Sequence, residues 1–208
     1  VRILFFLLPQ DLPFRPSLNQ YYLKEIQMSA SYLIISTSLN PSSRSRLLAK
    51  AVEAGLIEQT KEAKAAVEFV DLRDVQLPLC DGGAAYGHPN VATMTAKVQA
   101  ATCIIIAVPI YNYNVNAACK NLVELTGKAW EGKIVGFLCA AGGKASYMSV
   151  MGFANGLMLD FRCLILPRFV YADRNEFLPD NAYSAEIGER IGLFVKEAIT
   201  LNTGLYGK

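Results

Sequence analysis

The chain has 208 residues, a length that suits one domain. Hydrophobic residues make up 52%, which argues against a disordered chain. Charged residues are only 18% and the net charge is +2, which gives no support to a nucleic-acid surface or a polybasic membrane anchor. No apolar run approaches the roughly 20 residues that cross a bilayer. Five cysteines, an odd number without a CxxC pair, argue against a disulfide framework or a structural zinc site. The lone histidine, His88, excludes a multi-histidine metal centre.

Residues 1–27 are expected to be a disordered or non-native extension, with the natural start at Met28. Pro9, Pro13 and Pro16 break any helical or strand period there. The six-residue apolar run Ile3–Leu8 is too short for a signal-peptide core, and no small-x-small cleavage site follows it. From Tyr32 onward the pattern becomes regular. Strands are predicted at Tyr32–Ser36, Val67–Asp71, Thr102–Val108, Lys133–Cys139 and Cys163–Leu166. Between and after them, helices are predicted over 44–60, 91–100, 117–126, 146–159 and 184–201. Ser43 is the expected N-cap of the first helix and Gly127 the C-cap of the third. This strict alternation calls for a parallel sheet covered on both faces by helices. Five strands over 28–208 fit a flavodoxin-like three-layer α/β sandwich with strand order 2-1-3-4-5.

In such a sheet, ligands bind beyond the carboxyl ends of the strands at the switch point, here between strands one and three. Three loops therefore hold the candidate site. The first, Thr37–Ser45, follows Ser36 and is dense in short hydroxyl and amide side chains leading into a helix N-terminus. That composition suits a phosphate dianion, because first-turn N–H groups lack helical partners, the hydroxyls add donors and Arg44 adds charge. An ordinary serine-capped turn has the same composition. Neither G-x-x-x-x-G-K-[ST] nor G-x-G-x-x-G occurs, so a monophosphate is expected rather than ATP, GTP or a dinucleotide. The second loop, Pro109-Ile110-Tyr111-Asn112-Tyr113-Asn114, offers two flat tyrosine faces and a run of backbone donors, which suits a planar heteroaromatic ring or a plain surface turn. The third, Gly142-Gly143-Lys144, either allows close backbone approach to a ligand or is only a tight turn. A phosphate site, a ring site and a close-approach turn around one crevice describe flavin mononucleotide (FMN).

Over about residues 31–203 the chain resembles the NADPH-dependent FMN reductase family, flavodoxin-like enzymes that include quinone, azo-dye and chromate reductases. The family's phosphate loop, Gly-Ser-Leu-Arg-x-x-Ser-x-[Asn/Ser], is matched by Thr37-Ser38-Leu39-Asn40-Pro41-Ser42-Ser43-Arg44-Ser45, which implies Ser38, Asn40, Ser43 and Ser45 as phosphate contacts with Arg44 beside them, and Ser36 at the loop's start is a further candidate for cofactor binding. Its Pro-x-Tyr-Asn ring motif is matched by Pro109–Asn112, the most specific signal in the chain. Two departures stand out. Thr37 and Asn40 replace the usual glycine and arginine, and Tyr113-Asn114-Val115-Asn116 replaces the usual Gly-Ser-x-Pro. The second departure alters the wall against which nicotinamide or an acceptor would stack.

The resemblance implies FMN as cofactor, NADPH or NADH as reductant, a small-molecule electron acceptor, a homodimer or homotetramer, and a cytoplasmic setting without nucleic-acid or membrane partners. It implies ping-pong hydride transfer with no catalytic acid–base residue. A one-electron carrier of the flavodoxin kind and a non-catalytic FMN-binding protein are the alternatives. Cys103, Cys119, Cys139 and Cys163 read as core and Trp130 as a packing anchor. Cys80 and His88, in polar loops, are either bland or, respectively, a reactive thiol and part of an acceptor entrance. Met148, Met151, Met158 and Phe153 give the fourth helix an apolar surface for either core packing or a dimer interface.

Overall fold

The computed structural model describes residues 29–207. The expected extension over residues 1–27 lies outside them.

Three strands form the centre of the sheet: β1 (Ser31–Ser36), β3 (Cys103–Tyr111) and β5 (Ile134–Ala140). They run parallel, with β2 (Ala66–Asp71) beyond β1 and the short β6 (Leu164–Ile165) and β7 (Val170–Ala172) beyond β5. The five expected strands are all present in the expected order, counting β5 as the fourth. Within the strands alternate side chains serve opposite layers. Leu33, Ile35, Ile104, Ile106 and Val135 face one core and Tyr32, Ile34, Ile105 and Leu138 the other. Both faces are buried, so these strands read as continuous apolar runs. On the first face lie α2 (Pro89–Ala100), α3 (Ala117–Thr126) and α4 (Met151–Phe161). On the second lie α1 (Arg44–Gln59) and the 22-residue α5 (Ala185–Tyr206). No helix among the described residues is long and apolar enough to cross a membrane.

Three elements differ from expectation. The fifth strand, expected over 163–166, is split. β6 pairs with the start of β5 (Ile134↔Leu164) and β7 with its end (Ala140↔Ala172). Pro167 lies in the gap, where it can give the ladder no N–H. The loop expected over 109–116 instead forms a β-hairpin, with β3 running on to Tyr111 and pairing antiparallel with β4 (Asn114–Val115). The fourth helix, expected over 146–159, opens as a 3-10 turn at Lys144–Ser146 and becomes regular only at Met151. The remaining elements agree within a few residues, apart from α5, which runs five residues past its expected end. Trp130 is fully buried, its indole N–H donating to Thr126 Oγ1 at 2.7 Å, as a packing anchor should. The four core cysteines are buried too.

Candidate active site

Beyond β1 the chain turns through two side-chain caps. Ser38 Oγ accepts from the Asn40 N–H (3.3 Å), and Asn40 Oδ1 accepts from the Ser42 N–H (2.9 Å). Ser43 then caps α1, its hydroxyl accepting from the Arg46 N–H at 3.2 Å. The Ser43 and Ser45 hydroxyls lie 3.1 Å apart. The N–H groups of Arg44 and Ser45 have no carbonyl four residues back within the helix, and the helix dipole adds partial positive charge there. A loop braced in this way meets a dianion with donors already in place.

The ring loop is positioned by the end of β3. The Thr37 N–H donates to the Ala107 carbonyl at 3.0 Å, beyond the last β1 residue. Pro109, two residues on, faces the side where β1 has ended, so its missing N–H costs no ladder bond. The chain then reverses through Asn112 (φ +49°) and Tyr113 (φ +63°), a two-residue turn with positive φ at both central positions. The Tyr111 and Tyr113 side chains are 53% and 57% exposed. Two bare aromatic faces so close to a buried strand leave room for a planar ligand.

The glycine turn follows β5. A Cβ built on Gly142 or Gly143 would meet no protein atom within 4 Å, so the space beside both is open to a ligand. The Tyr171 hydroxyl, from β7, donates to the Gly143 carbonyl and anchors the turn from below.

One cavity of about 270 Å³ gathers the ends of all three loops. The phosphate loop contributes Ser38, Asn40, Ser42, Ser43, Arg44 and Ser45, the ring loop Pro109–Tyr111, and the glycine turn Ala140–Gly142. Ser36 stands apart. It is fully buried beneath the loop and its hydroxyl has no partner. Asn112, Tyr113 and Asn114, at the hairpin tip, and Gly143 and Lys144, further along the glycine turn, lie outside the cavity lining. The volume is just below the usual range for ligand pockets, roughly 300–1,000 Å³.

The structure adds Arg174 to the cavity wall. This residue rides on a 3-10 turn closed by a capping box, in which Asp173 Oδ1 accepts from the Asn175 N–H and Glu176 Oε2 from the Asp173 N–H. The Asp-x-x-Glu spacing of residues 173–176 is the sequence signal that could have located it. Arg44, also in the cavity wall, lies over the Phe177 ring at 5.3 Å. A third cation, Arg73, braces the phosphate loop from the turn just after β2. Its guanidinium bonds Asp71 Oδ2 (2.6 Å) and the Pro41 carbonyl (3.2 Å), while Arg46 Nε reaches the same carboxylate at 2.8 Å. Burial opposes ionisation of Asp71, but the hydrogen bonds from Arg73 and Arg46 outweigh it and hold the carboxyl below its ordinary value.

The two loop residues of open role resolve differently. His88 caps α2, its Nδ1 accepting from the Asn90 N–H at 3.2 Å, and does not line the cavity. Cys80, partly buried, lies 3.6 Å from the Tyr86 hydroxyl. The core thiols are held protonated by burial, with Cys103 and Cys139 pushed up to about 12 and Cys163 to about 11.

A β1/β3 switch point carrying a phosphate loop, an aromatic hairpin and an open glycine turn defines a flavin-binding α/β protein of the flavodoxin-like class. Residues 31–175 match the NADPH-dependent FMN reductase family, and the chain belongs to it. An NAD(P)H-dependent FAD/FMN reductase of Geobacillus thermodenitrificans (strain NG80-2) is 26% identical over 142 residues, 67% of this chain and 77% of that one. Two solved structures share the fold. An oxidoreductase from Corynebacterium diphtheriae has a TM-score of 0.70 at 17% identity, covering 85% of this chain and 98% of its own. FerB, a flavoenzyme NAD(P)H:(acceptor) oxidoreductase from Paracoccus denitrificans, has a TM-score of 0.67 at 16% identity, covering 84% and 98%. The chain is thus a flavin-dependent oxidoreductase, with FMN as cofactor and NAD(P)H as reductant.

Proposed function

We propose that the protein transfers hydride from NAD(P)H to a small planar acceptor (a quinone, a free flavin or a similar molecule) in two separate half-reactions at one site. Bound FMN supplies the two-electron store. The chain's own residues bind, orient and screen. Ser38, Asn40, Ser43 and Ser45, with the first-turn N–H groups of α1, hold the phosphate, and Arg44 and Arg174, both in the cavity wall, add positive charge beside it. The N–H groups of Asn112 and Tyr113, in the turn between the paired Tyr111 and Asn114, supply backbone donors for the edge of the ring, where negative charge develops. Tyr111 and Tyr113 flank the ring, and Gly142 and Gly143 leave its other side uncrowded. No side-chain acid or base is required, since the cofactor carries the chemistry.

The observation that supports this reading most is the single cavity shared by the ends of β1, β3 and β5. An absorbance spectrum of the purified protein tests it, followed by NADPH and NADH oxidation with and without a quinone. Yellow protein with acceptor-dependent turnover supports the proposal. Colourless protein that FMN cannot reconstitute defeats it. Yellow protein without turnover points instead to a carrier or a binding protein.

The working unit is a homodimer on this reading. Phe153 packs edge-on against Phe137 in the core, but Met148, Met151, Met158 and Leu159 remain exposed, Leu159 at 77%. On the same helix, Phe153, Gly156 and Leu157 line a hollow of about 950 Å³ between α3 and α4, apart from the three loops. Its rim carries Lys120, Lys128 and Arg162 beside Glu124, Glu131 and Asp160. A patch with both signs of charge is self-complementary across a two-fold axis, so a second copy of the chain is the occupant it fits.

A further inference from the structure

Two of the positions where the chain leaves its family's pattern, Thr37 and Asn116, meet each other although they lie 79 residues apart. Thr37 is fully buried and Asn116 nearly so. Asn116 Nδ2 donates to the Thr37 carbonyl at 2.7 Å, and the Thr37 hydroxyl lies 2.7 Å from Asn116 Oδ1. A carbonyl can only accept, so it fixes which end of the Asn116 amide faces it. The amide oxygen then necessarily meets the hydroxyl, which donates. The hydroxyl also lies 3.0 Å from the Ala107 carbonyl, the same group that takes the Thr37 N–H. Glycine and proline, usual at these positions, have no side-chain donor or acceptor for either bond.

The placement matters because Thr37 opens the phosphate loop and Asn116 closes the ring hairpin. Asn116 is also the N-cap residue of α3, yet its side chain makes no cap bond. The amide that would ordinarily cap the helix is turned across the crevice floor instead. We propose that Thr37 and Asn116 form a buried strap that sets the gap between the phosphate loop and the ring hairpin, and that they are positioning residues for the flavin. The role in flavin binding rests on the function proposed above, whereas the strap itself is a property of the protein alone.

A mutant cycle tests both parts. Thr37→Val keeps the shape of the side chain and removes the hydroxyl. Asn116→Ala removes the amide. Each single variant leaves a buried polar group without its partner, so each is expected to bind FMN about tenfold more weakly. The double variant is expected to lose about tenfold again rather than about a hundredfold, because the two changes break one unit. Hydrogen exchange on the FMN-free proteins should speed up selectively in residues 38–40 and 110–114. Single variants with wild-type exchange in both loops overturn the strap. So does exchange that rises equally throughout β1 and β3, which is the mark of general destabilisation. Faster loop exchange with unchanged FMN affinity overturns the positioning role. Wild-type protein that binds no FMN overturns the proposed function instead, and loop exchange then decides the strap by itself.

Discussion

Tyr113 holds φ at +63°, a conformation that costs an L-residue roughly 1–2 kcal/mol relative to glycine. The family's usual glycine would carry no such cost, so the ring at this position is kept against the backbone's preference. Tyr113→Gly should therefore raise stability by about 0.5–1 kcal/mol, part of the relief being lost to the greater freedom of glycine in the unfolded chain. The shift in urea midpoint measures this. Turnover should fall in the same variant, because an exposed aromatic wall of the crevice is gone. Asp71 makes a second prediction at this scale. Its folded pKa lies below the unfolded value near 3.9, so its contribution is fully present above that value. The contribution is lost as pH falls from about 4 through the folded pKa. Asp71→Asn should consequently flatten the acid limb of a stability-versus-pH curve. An unchanged limb would show that Arg46 and Arg73 do not act on folding through this carboxylate.

At the scale of elements, Gly136 in β5 makes room for the side chains packed beside the break in the last strand. A Cβ on Gly136 would lie 2.5 Å from Leu166 Cδ1 and 2.6 Å from Phe194 Cζ. Leu166, just before Pro167, and Phe194 of α5 both lie buried over that gap. Gly136→Ala should cost about 1–3 kcal/mol by overpacking, read as a lower melting temperature. A neutral result would mean that Leu166 and Phe194 have slack to move. The same elements show what could be read from the chain beforehand. The β/α alternation, the Ser43 cap and the Pro109–Asn112 motif were visible because each depends on neighbouring residues. β7 was not, since three residues between Pro167 and the capped turn at Asp173 carry too little period to register. The hairpin was hidden because Asn112-Tyr113 lacks the glycine that usually marks such a turn. Arg174 depends on β7 and stayed hidden with it, and the Thr37–Asn116 bonds join residues that only the closed sheet brings together.

For the whole molecule, the exposed face of α4 is the feature most open to test. Leu159→Glu places a charge on the apolar side of the helix, away from the three loops of the site. Light scattering should show a dimer for the wild type and a monomer for the variant. Equal masses would remove the proposed interface and leave the FMN site standing.

The divided fifth strand also bears on how the protein lives among copies of itself. A sheet border of unpaired amides invites a foreign strand to add on. Here β6 offers two residues and β7 three, with a proline between them, on the side where the parallel sheet ends. No uninterrupted ladder is left on that side for another chain to extend. The break that made the strand hard to recognise is therefore also a barrier to fibrous association.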